Sequence, residues 1–338
     1  MQLLGDGERL VAWYSTDFYS GQRKGSRSSA EQIVPLVLNL IPVTSVVDVG
    51  CGLGTWLATF AANGVQTVRG IDGDHVDRSQ LQIGPDRFVP HDLAKPIILD
   101  ERFDLVLCLE VAEHLDPADA RILINSLVQL GPRVLFSAAI PHQGGAHHVN
   151  EQWPDYWTRL FAGHRYQPID CLRARIWEND KVDWWYAQNL LLFVDREVLA
   201  GEGDLLNSFR EGPPLSLVHP RHYLEVVLAS RLPREIAAIV PEGSAFILVD
   251  DNRFGPNAVP GRLALPFLEK DGTPWGKPED DATAIRELER MQAASPSMMV
   301  FASCSFWWLN YYTEFCRYLR SKFACVQEND CIIAFDLR

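Results

Sequence analysis

The sequence predicts an α/β fold: a parallel sheet covered by helices on both faces, followed by a second, smaller α/β unit. Three observations carry that expectation. Strand-length apolar runs alternate with helical stretches, and most of the runs are continuously apolar, as strands buried on both faces are. The first such run enters a glycine-rich turn, "DVGCGLGTW", at the mouth of a helix. The chain of 338 residues also exceeds a comfortable single domain, and the alternation restarts near residue 238.

Taken in order, residues 1–27 read as irregular, since "YSGQRKGSRSS" is rich in Gly, Ser, Arg and Lys. Ser28 or Ser29 is expected to cap a helix through "AEQIVPLVLNLI" that Pro42 closes, with Pro35 an awkward residue inside it. "SVVDVG" reads as a buried strand, "TWLATFAANG" as a helix ended by Gly64, and "QTVRGID" as a second strand. "RFVPHDL" is a shorter third strand, "FDLVLCLE" a fourth, "ADARILINSLVQL" a helix and "RVLFSAAIP" a fifth strand. A helix at "PDYWTRLFAGH" and strands at "YQPIDCL" and "QNLLLFVDR" complete a first domain over residues 1–200.

Residues 201–237 read as a linker with the break "EGPPLS" and a helix at "PRHYLEVVLASRL". Residues 238–338 form the small α/β unit. Its strands are "AFILVD" and "SMMVFAS", its helices "DATAIRELERMQAA" and "WWLNYYTEFCRYLRSKF", and a hairpin-like pair over "ACVQENDCIIAFDL" closes it.

Composition narrows the function classes. A net charge of −13 argues against a long nucleic-acid partner, whose binding draws much of its free energy from Lys and Arg. No run reaches the 18 or so apolar residues of a membrane span, and the start lacks a basic stretch followed by an apolar core, so neither a span nor a signal peptide is expected. Seven cysteines without a C-x-x-C pair suggest free thiols, Cys51 and Cys108 in buried strands, and a cytoplasmic setting is the default.

The chemistry concentrates where strands end. Gly50, Gly52 and Gly54 lie between the first strand and its helix, where glycines allow a tight turn and let a ligand approach the backbone near a helix N-terminus. The spacing is one residue shorter than the dinucleotide fingerprint, which disfavours a nicotinamide oxidoreductase, and no G-K-[ST] follows as a triphosphate loop needs. Asp48 precedes the turn. Asp72 in "GIDGD" and Asp92 in "HDL" end the second and third strands; either could be only a loop cap, but a strand-end carboxylate can accept ligand hydroxyls or amines.

The ordered set "VVDVGCGLGTW", "GIDGD", "HDL" and "FDLVLCLEVAEH" resembles the class I S-adenosylmethionine-dependent methyltransferases over about residues 28–195. The resemblance implies a Rossmann-like methyltransferase sheet and S-adenosyl-L-methionine as cofactor. It implies Asp48, Gly50, Gly52 and Gly54 around the amino-acid part of that cofactor, Asp72 at the ribose hydroxyls, Asp92 at the adenine and Glu110 beside the methionine end.

The stretch "LEVAEH" then stands on the ligand-binding rim, at the carboxyl end of the fourth strand. If the chain turns helical there, Glu110, Glu113 and His114 fall at i, i+3 and i+4 on one face. Three readings stay open. His114 is a general base for an acceptor hydroxyl. Alternatively Glu110, Glu113 and His114 bind a divalent cation with His147 or His148 of "GGAHHVNEQW", in which case Glu113 and His148 join His114 in catalysis. In the third, Glu113 and His114 only cap and pack the next helix.

The pliable histidine-rich loop with Asn150, Glu151 and Gln152 suits a small polar acceptor, sugar-bearing or hydroxylated, methylated on oxygen or else on nitrogen. Trp153, Tyr156 and Trp157 read as core, and one of Trp184, Trp185 and Tyr186 as a pocket wall. Asp280 and Asp281 read as helix caps. The C-terminal unit lacks a glycine fingerprint and is expected to serve stability, homodimerisation or acceptor recognition; a cofactor-binding scaffold without turnover is the competing class.

Overall fold

The computed structural model describes residues 16–201, 215–270, 273–274 and 276–338. The chain divides into two units, one ending at His222 and the other beginning at Tyr223, a cut inside the segment read as linker.

The first unit is built on a seven-stranded sheet. Its strands are β1 (Ser45–Val49), β2 (Thr67–Asp72), β3 (Phe88–Pro90), β4 (Leu105–Leu109), β5 (Arg133–Ser137), β6 (Tyr166–Ile169) and β7 (Leu191–Asp195), in the order β3-β2-β1-β4-β5-β7-β6. The pairs from β3 to β5 are parallel. β7 then runs antiparallel to both β5 and β6, so the expected parallel sheet is in fact mixed. The strand "LLFVD" is buried like its neighbours, and burial does not encode direction.

Successive β1 side chains go to opposite faces. Val46 packs with Val68, Leu105 and Leu107 in one core, beneath helices α1 (Thr16–Leu40) and α2 (Thr55–Ala62). Val47 and Val49 pack with Val106, Phe136 and Leu123 in the other, beneath α3 (Ala120–Leu130) and α4 (Pro154–Ala162).

Helix α1 starts at Thr16 rather than at Ser28 or Ser29, and it continues through Pro35. The two serines cap nothing. Ser28 Oγ donates to the carbonyl of Lys181 at 2.7 Å, and Ser29 Oγ accepts the amide of Asp183 at 3.0 Å. These contacts from more than a hundred and fifty residues away override a local composition that reads as loop.

The second unit has a five-stranded sheet of β8 (Ala245–Val249), β9 (Leu263–Pro266), β12 (Met298–Ala302), β13 (Ala324–Glu328) and β14 (Ile332–Asp336), ordered β13-β14-β12-β8-β9. β8 pairs in parallel with β9 and β12, and the closing β13–β14 pair is antiparallel. Strand β9 and the short hairpin of β10 (Glu269–Lys270) and β11 (Thr273–Pro274) had no clear sequence signal.

The aromatic helix expected over 307–323 is two helices, Trp307–Tyr311 and Thr313–Lys322, broken at Tyr312. The Tyr312 hydroxyl donates to the Pro278 carbonyl, and Asp281 accepts the amide of Phe315. Asp280 caps the helix Asp281–Met291 through the Thr283 amide. No helix among the described residues is long and apolar enough to cross a membrane.

Candidate active site

The glycine turn is shaped by what presses on it. Gly50 has φ +84, and a β-carbon there would fall inside the van der Waals envelope of both γ-methyls of Val111. Val111 comes from the segment after β4, so two strand ends close on each other and only glycine fits between them. Gly52, at φ +51, has nothing within 4 Å of where a β-carbon would sit. That is open space, on the side where a ligand can reach the backbone.

Gly50, Gly52, Asp48, Trp56, Leu109 and Tyr186 border a cavity of about 500 Å³ counted out to its mouth. Of the three aromatic candidates before β7, Tyr186 is the wall, with its ring 5.2 Å from that of Trp56. Trp184 instead stacks on His222.

The three strand-end carboxylates have different surroundings. Asp48 is buried on β1, and burial, then the nearby Asp72 charge, pushes its pKa up to about 7. Asp72 ends β2 and holds the glycine turn: Oδ2 accepts the Gly52 amide at 2.6 Å and Oδ1 the Gly73 amide at 2.7 Å. Burial raises its pKa while the two amides pull it back, and each oxygen keeps a second lone pair for a ligand hydroxyl. Asp92 is exposed in the loop after β3. It accepts the Ala94 amide and pairs with Lys95 at 2.9 Å, which lowers its pKa, and it does not border the cavity.

Beyond β4 the chain does not continue as the helix that would align Glu110, Glu113 and His114. Its backbone turns left-handed at Glu110 (φ 54), whose amide is taken by the carbonyl and hydroxyl of Ser137, and then makes one 3-10 turn, Ala112–His114. The three side chains therefore part company. The Glu110 carboxylate accepts amide N–H groups of Gln143 at 3.0 Å and Asn189 at 3.2 Å.

Glu113 and His114 instead meet His148: one ligand-type atom from each lies within 4.8 Å of the others. His147, the other candidate of the loop, is exposed and stands outside this group.

The electrostatics of this group are unusual. Glu113 is fully buried, and neither carboxyl oxygen has a hydrogen-bond partner among the described residues. Burial, then the neighbouring Glu110, drives its pKa well above the usual carboxylate range. Burial, then His148, pushes His114 down to about 4, and its Nδ1 is buried without a partner. An unpaired buried carboxylate costs several kcal/mol unless it is neutralised.

Glu151 fixes the other side of the group. Its carboxylate accepts the His142 amide at 2.7 Å and the Gly144 amide at 2.9 Å, and lies 3.0 Å from His148 Nδ1. A carboxylate behind an imidazole sets its tautomer and leaves the other nitrogen for a ligand. An O/N/N set in which the Glu113 oxygens and His114 Nδ1 are buried without a partner among the described residues fits a divalent cation.

Gln143 and Asn189 were not singled out from sequence. Neutral amides carry no motif, and Asn189 reaches Glu110 across 79 positions. The only signal was that Gln143 belongs to the polar loop after β5.

A mixed sheet, parallel from β3 to β5, with a glycine turn after β1, an acid at the end of β2 and a polar rim after β4 and β5 defines a Rossmann-like unit of the cofactor-binding kind. Residues 22–180 match a family model described as a methyltransferase domain. Over 102 residues the chain is 36% identical to the ubiquinone biosynthesis O-methyltransferase of Stutzerimonas stutzeri, which is 27% of this chain and 43% of that protein. The corresponding enzyme of Pseudomonas syringae pv. tomato is 35% identical over the same extent, so the chain spans less than half the length of these curated relatives.

Among solved structures, magnesium protoporphyrin IX methyltransferase (ChlM) from Synechocystis PCC 6803 aligns at TM-score 0.42 and 17% identity, over 56% of this chain and 99% of its own. The sugar N-methyltransferase KedS8 from Streptoalloteichus aligns at TM-score 0.42 and 18% identity, over 58% and 95%. Residues 22–180, a little under half of the chain, thus match a methyltransferase domain on a Rossmann-like sheet, and the chain carries a second α/β unit beyond it.

Proposed function

We propose that this protein transfers the methyl group of S-adenosylmethionine to an oxygen of a small polar acceptor, a sugar-bearing or hydroxylated metabolite. The cofactor supplies, when bound, an electrophilic methyl group on a sulfonium. The residues present fit it: the open side of Gly52 admits a ligand to the backbone, and Asp48 borders the same cavity with its carboxyl group. Asp48 and the three glycines hold the amino-acid part, Asp72 takes the ribose hydroxyls through its spare lone pairs, and Glu110, fixed by Gln143 and Asn189, flanks the methionine end.

The observation that carries the acceptor chemistry is the buried, unsatisfied Glu113 beside His114 and His148. It favours a divalent cation over a lone histidine base. A base with a pKa near 4 has little drive to take a proton from a hydroxyl at neutral pH, whereas a neutral imidazole is ready to ligate. Glu113, His114 and His148 would hold the cation, with Glu110 beside them, and it would act as a Lewis acid that makes an acceptor hydroxyl easier to deprotonate.

The test is incubation of the full chain with S-adenosylmethionine and metabolite extracts, followed by mass spectrometry for products heavier by one methylene. A product that forms with the wild type, fails with EDTA and returns with Mg, Mn or Fe supports the reading. Undiminished turnover of His114→Gln in EDTA would leave catalysis to placement of the acceptor against the methyl group alone.

A further inference from the structure

A second cavity, of about 760 Å³ counted out to its mouth, lies in the first unit beyond the histidine loop. It is bordered by Gln152, Trp153, Asp155, Tyr156, Arg159 and Ser216, among others. This size suits a small ligand. Two of its walls are aromatic, contrary to the expectation that Trp153, Tyr156 and Trp157 are all core. Trp157 is buried, but Trp153 is 42% exposed and Tyr156 half-buried.

Trp153 is also held in place. It is the cap residue before Pro154, which opens α4 and restricts the backbone of the residue before it. Its carbonyl accepts the Tyr156 amide at 2.9 Å. Its backbone is thereby set, and the exposed indole offers an apolar face that a ligand ring can cover.

The polar walls are planar and open. The Arg159 carbonyl accepts the Gly163 amide, but its guanidinium has no hydrogen bond or ion pair among the described residues. Asp155 has one weak partner, the Ser216 hydroxyl at 3.4 Å. Gln152 donates to Asn150 at 3.1 Å and keeps its carbonyl oxygen. A guanidinium, a carboxylate and an amide around an indole offer donors and acceptors of both signs. That set suits vicinal hydroxyls better than it suits a phosphate, which the carboxylate would repel, or a plain hydrocarbon, which would bury all three unpaired.

The cleft lies close to the candidate cation group. The amides of Val149 and Asn150 both donate to the Glu113 carbonyl, and the Gln152 amide donates to the Ala139 carbonyl. Trp153 is only five residues from His148, at most about 18 Å along a fully extended chain.

We propose that this cleft is a carbohydrate subsite: one face of a sugar ring of the acceptor lies on Trp153, and its hydroxyls bond to Arg159, Asp155 and Gln152. This rests on the methyltransferase reading only for the fate of the rest of the acceptor. Binding of the ring itself needs neither cofactor nor turnover.

The experiment is saturation-transfer NMR on the full chain with the methyl glycosides of glucose, rhamnose and glucuronic acid, and with inorganic phosphate as a competitor. The expected result is millimolar binding of at least one glycoside through its ring C–H protons. Trp153→Ala should weaken it about ten-fold. Arg159→Gln should weaken it while Trp153→Phe retains it, which separates loss of the site from misfolding.

Absence of glycoside binding, or binding indifferent to both Trp153→Ala and Arg159→Gln, overturns the proposal. Displacement of the glycosides by phosphate at equal concentration does so as well. Calorimetry with S-adenosylhomocysteine on the same sample keeps the two readings apart. Glycoside binding without cofactor binding sinks methyl transfer and leaves the subsite; the reverse sinks the subsite alone.

Discussion

The rings of His114 and His148 meet edge to face, with centroids 4.9 Å apart and planes at 85°. One comes from the turn after β4 and the other from the loop after β5, and the buried carboxyl group of Glu113 lies beside both. The His148 ring, after burial, helps hold the His114 imidazole in its neutral, ligating form.

A divalent cation should bind this group in the absence of any substrate. Titration of the chelator-treated protein with Mn is expected to show one site per chain by calorimetry. Glu113→Gln should weaken that site by about 10–100-fold or more, since it removes the only one of the three groups that can become an anion on the cation. Mn binding unchanged in Glu113→Gln and in His148→Ala would place the cation elsewhere.

The pH dependence of stability has a defined sign. His114 has a folded pKa of about 4 against 6.5 for an unperturbed histidine. The native state therefore binds fewer protons than the unfolded state between those values. Its contribution is fully present above pH 6.5 and is lost as pH falls toward 4, amounting to about 3 kcal/mol across the window. Denaturant unfolding of His114→Gln at pH 4.5 and 7 should show the wild type losing more stability between them than the variant. Catalysis that depends on neutral His114 should likewise persist below pH 6.5.

Asp48 behaves in the opposite sense. Its folded pKa of about 7 lies above the ordinary 3.8, so the cofactor-free native state binds the extra proton and loses stability as pH rises from 3.8 to 7. The penalty above pH 7 is about 4 kcal/mol. Asp48→Asn should therefore melt higher than wild type at pH 8 and nearly with it at pH 4, while its affinity for S-adenosylhomocysteine falls. A melting difference independent of pH would contradict the assignment.

The two glycines should part in their effects. Gly50→Ala meets Val111 as well as the left-handed backbone and should lose about 2–5 kcal/mol, part of it recovered by adding Val111→Ala. Gly52→Ala meets open space and should lose only about 1–2 kcal/mol, from its backbone alone. Denaturant midpoints of the variants measure both.

Much of this was legible in the chain. "SVVDVG" and "FDLVLCLE" announced buried strands because both faces of the sheet demand apolar side chains, and "GCGLG" announced the turn because other residues are strained at those positive φ values. The reversal of β7 was not legible, since Leu191–Asp195 would be equally apolar in either direction. Nor was the early start of α1, which rests on the distant partners of Ser28 and Ser29. At the site, "LEVAEH" marked the right rim. The left-handed backbone at Glu110 then sent the first glutamate toward Gln143 and Asn189 and the last two residues toward His148, a partition that spacing alone does not contain.

The three bonds to Glu151 bear on when the site is assembled. One side chain closes the loop from His142 to Glu151, so the chain entropy of placing His148 is lost during folding and not at the moment a ligand arrives. Binding then meets a template already set, and its free energy is free to go into affinity. Loosening that clasp, as Glu151→Ala would, should cost the protein ligand-binding strength out of proportion to the stability it loses.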